Sequence, residues 1–184
     1  MTSLIKKIRP RRCQLSVPAS SKKMIEKAAS IKVDGVILDL EDSVAPDQKE
    51  SARHQIIDGL MQLEWKASSI SVRINATNTE WCHQDIIELV SCCSEKIATL
   101  IVPMVNTPND LIFVETLIKQ LAIRNSSAAE IGIEGLIETV EGLSNVDKIA
   151  QSSEKLEALV LGMGDYAASQ RMRINTIGDV SSEA

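Results

Sequence analysis

This 184-residue sequence has two histidines, four cysteines and no long apolar run, and each shortage excludes a class of protein. With only His54 and His83, imidazole is too scarce for a typical zinc site, so any metal must be a hard one bound through oxygen. Cys13, Cys82, Cys92 and Cys93 lack a Cys-x-x-Cys spacing, and the adjacent pair cannot readily bridge to itself, which leaves reduced thiols. Cys92 and Cys93 read as partly buried helix residues. No apolar stretch reaches the ~20 residues that cross a bilayer, and there is no signal-peptide pattern. Neither Gly-x-Gly-x-x-Gly nor a Walker phosphate loop occurs. The net charge of -5 argues against nucleic-acid binding, which needs a surplus of Lys and Arg. The basic stretch Lys6, Lys7, Arg9, Arg11 and Arg12 lacks the Ser-rich amphipathic length of a transit peptide and runs directly into an apolar strand. The expectation is a soluble, cytoplasmic protein that binds neither nucleic acid nor membrane.

What is present is an alternation. Six short apolar runs read as strands: Cys13–Ala19, Gly35–Leu40, Ile70–Asn75, Thr99–Val105, Ile131–Ile137 and Ala158–Gly162. Near-continuous apolarity, as in Val36-Ile37-Leu38, suits parallel strands buried on both faces. Helical periodicity fills the gaps, over Ser21–Ile31, Gln48–Leu63, Gln84–Glu95, Pro108–Arg124, Gly142–Gln151 and Tyr166–Arg171. Thr107-Pro108 marks one start, a cap followed by proline at the first helical position. Strands alternating with helices mean βα units, and no linker or low-complexity tract divides them, so one domain over residues 1–184 is expected.

Polar residues gather just after the strands: Asp39, Glu41 and Asp42 after the second, Arg73 and Asn75 at the end of the third, Glu138 after the fifth, Asp165 after the sixth. In a parallel βα barrel the carboxyl ends of the strands share one mouth, where residues distant in sequence converge. An open doubly wound sheet also places ligands at strand ends, but usually announces itself with a glycine-rich phosphate loop. Two carboxylates such as Glu138 and Asp165, converging with open positions between them, suit Mg²⁺ or Mn²⁺. Singly, Glu138 could equally be a solvated or N-capping carboxylate, and Asp165 a helix N-cap. Arg73 lies in the buried-looking strand Ser71-Val72-Arg73-Ile74-Asn75 and needs an anionic partner, either a substrate oxygen or one of the acids. Alternation puts Asp39 and Glu41 on the same side, making either a candidate partner.

At these residues the sequence resembles the citrate lyase β-subunit and malyl-CoA lyase family of the HpcH/HpaI aldolase superfamily. The likeness runs in order through Arg11-Arg12-Cys13-Gln14-Leu15-Ser16-Val17-Pro18, then Val36 to Pro46 with its Asp39-Leu40-Glu41-Asp42, then Val72-Arg73-Ile74-Asn75. It continues with Ile137-Glu138-Thr139 and Leu161-Gly162-Met163-Gly164-Asp165-Tyr166-Ala167-Ala168-Ser169. The resemblance implies a TIM (β/α)8-type barrel, here incomplete with about six βα units. It implies Mg²⁺ held by Glu138 and Asp165, with Arg73 contacting substrate and Asp39, Glu41 and Asp42 behind it. The implied reaction is cleavage or formation of a 3-hydroxyacyl-CoA thioester, of malyl-CoA or citryl-CoA type, with a 2-oxo acid such as glyoxylate, in a homo-oligomer. Asp42 stands where the hydroxy-acid aldolases of the superfamily carry a histidine, which favours the CoA-thioester branch. Met104 stands where the family usually has a lysine, so one cationic contact is missing. The family's acid/base aspartate comes from a C-terminal region that this sequence does not reach. Two other readings stay open: a non-catalytic paralogue binding metal and carboxylate or serving assembly, and a metal-dependent 2-oxo-acid aldolase.

Overall fold

The computed structural model describes residues 8–127 and 130–172. Strand β1 (Gln14–Pro18) is followed by α1 (Lys22–Ala29), β2 (Gly35–Asp39), a short 3-10 turn at Pro46–Gln48, and α2 (Lys49–Gln62). Then come β3 (Ser69–Arg73), α3 (Cys82–Cys93), β4 (Thr99–Val102), α4 (Pro108–Arg124) and β5 (Gly132–Ile137). Helices α5 (Val140–Ser144) and α6 (Val146–Ala150), strand β6 (Leu156–Leu161) and α7 (Met163–Ser169) complete the order. None of the described helices is long and apolar enough to cross a membrane.

All five strand pairings are parallel, and the strands lie side by side in sequence order, β1-β2-β3-β4-β5-β6. A doubly wound sheet reverses its strand order at a switch point, whereas a barrel adds each strand beside the last. The sheet is therefore an arc of a (β/α) barrel, and six of the eight strands such a barrel needs lie within the described residues. Among those residues β1 and β6 each pair on one side only.

The helices form where local chemistry favours them. Ser21 caps α1 and its side chain accepts from Met24 N. Ahead of α4, Asp110 Oδ2 accepts from Thr107 N at 2.8 Å, and Pro108 takes the first helical position, where its missing N–H costs nothing. Outward strand residues such as Val36, Leu38, Val72 and Leu100 are fully buried against Ile56, Ile86, Leu111 and Ile118 of the helices. Each such side chain contributes ~1.5–3 kcal/mol. One expected helix, Gly142–Gln151, is two short ones that meet at Asn145, whose side-chain amide donates to Asn106 O at 3.0 Å. The adjacent cysteines also differ, because neighbours on a helix point about 100° apart: Cys93 is buried and Cys92 exposed.

Inside the arc, toward the amino ends of the strands, the packing is polar. Ser71 and Thr99 hydroxyls are 2.7 Å apart, and Thr99 donates to Glu134 Oε1 at 2.8 Å. Arg11 Nε donates to the same oxygen at 3.1 Å, while its Nη2 donates to Glu157 at 2.8 Å. Arg9 Nε donates to Glu157 at 3.1 Å. A register shift between Ile133 and Glu134 accompanies this arrangement, and Glu157 lies where a side chain on Gly132 would be. Of the basic N-terminal stretch, Lys6 and Lys7 lie outside the described residues, while Arg9 and Arg11 tie the segment before β1 to β5 and β6, and Arg12 pairs with Asp34 at 2.7 Å.

Candidate active site

At the carboxyl ends of the strands, β2 delivers Asp39 and β3 delivers Arg73 in register with each other. The pair is bidentate: Arg73 Nε donates to Asp39 Oδ1 and Nη2 to Oδ2, both at 2.7 Å. Asp39 also accepts from Glu41 N at 2.9 Å and Ser43 N at 3.3 Å, so the tight turn after β2 wraps around its carboxylate. Burial opposes ionisation of Asp39, yet these hydrogen bonds and the Arg73 charge outweigh it and hold its pKa below the ordinary value. The remaining Arg73 nitrogen, Nη1, faces Glu41 Oε2 at 2.7 Å and exposed Asp42 at 3.5 Å.

Glu41 is the unusual group here. Its Oε2 is buried and lies close to Arg73 but off the N–H direction, so the contact is an ion pair without an aligned hydrogen bond. Burial pushes its carboxyl up to about 7. Arg73 pulls the other way but shares its charge with Asp39, while Asp42, Glu138 and Asp39 add repulsion. The folded protein therefore holds more protons here than the unfolded chain between pH 4.5 and about 7. Across that window this group makes stability fall as pH rises. Glu41→Gln, compared with the parent in chelator, is expected to be more stable at pH 8 by roughly 1–3 kcal/mol and indistinguishable near pH 4. Urea titrations at the two pH values check this, and a difference that does not vary with pH would refute it.

Glu138 follows β5 and is buried, with 5% of its surface exposed. The N-cap of α5 is Thr139, not Glu138, so the carboxylate is neither a cap nor a solvated surface group. Met104 N donates to Glu138 Oε2 at 2.8 Å, and Met104 holds a left-handed φ of 52° to do so. A non-glycine residue in that region carries strain, which here is fixed against a mouth carboxylate. Gly162, after β6, leaves room on the other side: a Cβ there would lie 2.5 Å from Glu138 Cγ. Burial raises the Glu138 pKa, the Met104 hydrogen bond opposes this, Asp165 raises it further, Arg73 lowers it and Asp42 adds to the rise.

Asp165 is exposed and sits at the third position of α7, whose N-cap is Gly162, so it is not the capping residue. Its charge reaches Glu138, as do those of Arg73 and Asp42, so the structure gathers all six sequence-derived residues at one mouth. Among the described residues no group of three or more His, Cys, Asp or Glu is placed to cage a metal ion. A cavity of about 480 Å³ opens at the opposite ends of β3 and β4, lined by Arg9, Ser69 and Lys96 among others, well away from these acids.

Sequence reading missed the support beneath the mouth. Lys49, at the start of α2, is buried and donates to Leu40 O and Glu41 O, both at 2.7 Å. One turn on, buried Arg53 donates to Asp85 at 2.9 Å, and Asp85 in turn accepts from Asn75 N and Nδ2 at 3.0 and 2.7 Å. The four-residue spacing of Lys49 and Arg53 was visible, but it reads equally well as a solvated helix face.

Parallel strands in barrel order, a bidentate arginine and two coupled carboxylates at their ends can be set beside known proteins. The L-malyl-CoA/beta-methylmalyl-CoA lyase of Cereibacter sphaeroides is 36% identical over 170 residues, 92% of this chain and 54% of that protein. The enzyme of the same description from Rhodobacter capsulatus is 38% identical over 167 residues, 91% and 52% respectively. The chain thus spans about half the length of the curated relatives it matches. Among solved structures, the Mycobacterium tuberculosis protein CitE in complex with magnesium and acetate superposes with a TM-score of 0.69 at 26% identity. That match covers 90% of this chain and 60% of that one. The family model for HpcH/HpaI aldolase/citrate lyase matches residues 12–179, which takes in every residue of the mouth, and the chain belongs to that family.

Proposed function

We propose that this mouth is the reacting site of a carbon–carbon lyase that cleaves or forms a 3-hydroxyacyl-CoA thioester, of malyl-CoA or citryl-CoA type, with a 2-oxo acid such as glyoxylate. The observation that carries the reading is buried Glu138, held by a strained backbone N–H and coupled to Asp165 and Arg73. Relatives at 36–38% identity described as malyl-CoA lyases support the substrate class.

In such a cleavage the carbinol hydroxyl loses its proton, the adjacent carbon–carbon bond breaks, and the thioester enolate takes up a proton at carbon. Negative charge therefore develops on oxygen. Arg73 offsets it through Nη1, because Asp39 holds Nε and Nη2 and fixes the direction of the guanidinium, while Glu41 and Asp42 share the Nη1 side. Glu138 and Asp165 would hold Mg²⁺ or Mn²⁺. The donor set fits a hard ion: both are carboxylates, and two of them leave positions for water and substrate oxygens. When bound, the ion supplies Lewis-acid polarisation of the oxo-acid carbonyl. Met104 N–H keeps one Glu138 oxygen oriented throughout.

The test is malyl-CoA cleavage by this chain with Mg²⁺ and with EDTA, for the parent, Glu138→Ala and Asp165→Ala. Mg²⁺-dependent turnover that falls at least about a hundredfold in each variant is expected. Turnover indifferent to metal, or to both substitutions, would sink the proposal. A second reading is a metal- and carboxylate-binding module without turnover. Calorimetric binding of Mg²⁺ and glyoxylate by a protein with no cleavage in any arm would select it.

A further inference from the structure

We propose that Lys49 is a positioning residue of the mouth, holding the Leu40–Glu41 backbone from below so that Glu41 and Asp42 face Arg73. Lys49 is 6% exposed, yet its ammonium forms no carboxylate ion pair within 4.0 Å among the described residues. Its two hydrogen bonds end on consecutive carbonyls, Leu40 O and Glu41 O. The Trp81 ring, from the loop after β3, lies 5.4 Å from it.

A buried cation is costly unless something compensates it, and a paired carboxylate is the usual answer. Here the compensation comes from two backbone carbonyls, an aromatic face and the field of the acids above, and all of these lie where the β2 and β3 loops meet the mouth. Lys49 is thus the point at which α2 grips both loops. Arg53, four residues later on the same helix, anchors the β3 loop through Asp85 and Asn75. The two cations set the spacing between Glu41 on one loop and Arg73 at the head of the other.

The geometric part stands apart from the lyase reading, and only its consequence for turnover rests on that reading. Amide hydrogen exchange is measured for the parent, Lys49→Met and Lys49→Arg, using β4 amides to report global stability. Exchange at Glu41, Asp42 and Ser43 is expected to quicken about tenfold or more in Lys49→Met, relative to β4, because two charge-assisted hydrogen bonds are lost. Lys49→Arg, which keeps donors and charge, is expected to recover most of the protection. If Lys49→Met does not fold, Lys49→Gln, with one shorter donor group, is read the same way. Local exchange that changes only in step with β4, in whichever variant folds, overturns the positioning role. In malyl-CoA cleavage the same variants are expected to lower kcat more than they raise KM, with Arg restoring kcat. A parent without turnover would refute the lyase reading while leaving the exchange result decisive for Lys49.

Discussion

Arg73→Met is expected to destabilise the protein at pH 7 by ~3–5 kcal/mol, the range for breaking a buried ion pair from one side. Asp39 has 1% of its surface exposed and would keep only the Glu41 and Ser43 N–H groups as partners. Its negative charge would stand uncompensated, whereas Glu41, already raised to about 7 and losing the charge that lowers it, would take up a proton. The penalty depends on pH in a definite direction. In the parent, Asp39 has a lowered pKa, so its contribution is present above its ordinary value of 3.8 and is lost as pH falls through the folded value. The gap between parent and variant should therefore narrow in acid. Asp39→Asn added to Arg73→Met should recover part of the loss, a non-additivity expected of groups in one network. Urea midpoints at pH 7 and at about pH 2, well below the ordinary value of 3.8, measure all of this. A loss under ~1 kcal/mol at pH 7 would place the pair among surface ion pairs and refute the reading of a buried clamp.

Asp85→Ala is expected to cost as much, at a residue outside the mouth itself. Asp85 is fully buried and accepts from Arg53, Asn75 N and Asn75 Nδ2. Its removal strands a backbone N–H and a side-chain amide, each worth ~1–3 kcal/mol when unsatisfied, and leaves buried Arg53 with Glu88 alone. A loss of ~3–5 kcal/mol is expected, and Asp85→Asn, which keeps one acceptor, should lose less. Circular dichroism melts and urea titrations should agree on that order. If Asp85→Asn proved the more damaging, shape rather than hydrogen bonding would be the cause.

Much of this was legible in the sequence because periodicity reports burial. All six strands lie within or beside the expected runs, since each carries apolar residues that pack into the core. The exceptions have local causes. β6 begins at Leu156 rather than Ala158, because Glu157 turns inward to the N-terminal arginines and so breaks the apolar run. Helix α7 begins at Met163, ahead of the expected Tyr166, because two glycines disguised its first turn. At the mouth, the pairing of Arg73 with one of Asp39 and Glu41 could be anticipated from alternation along the strand, and the structure sets both against it. Lys49, Arg53 and Asp85 could not, because burial of a charged helix residue depends on what packs over it. That information is tertiary.

The tie between Arg9, Arg11 and the acids of β5 and β6 joins residues 123 to 148 positions apart. During synthesis at ~5–20 residues per second the two arginines wait on the order of ten seconds or more before their partners exist. Until then the β1 edge and the inner faces of the early strands lack their final neighbours. The segment before β1 can therefore take its first partner, Glu134, only once β5 is made, and its second, Glu157, only once β6 is made.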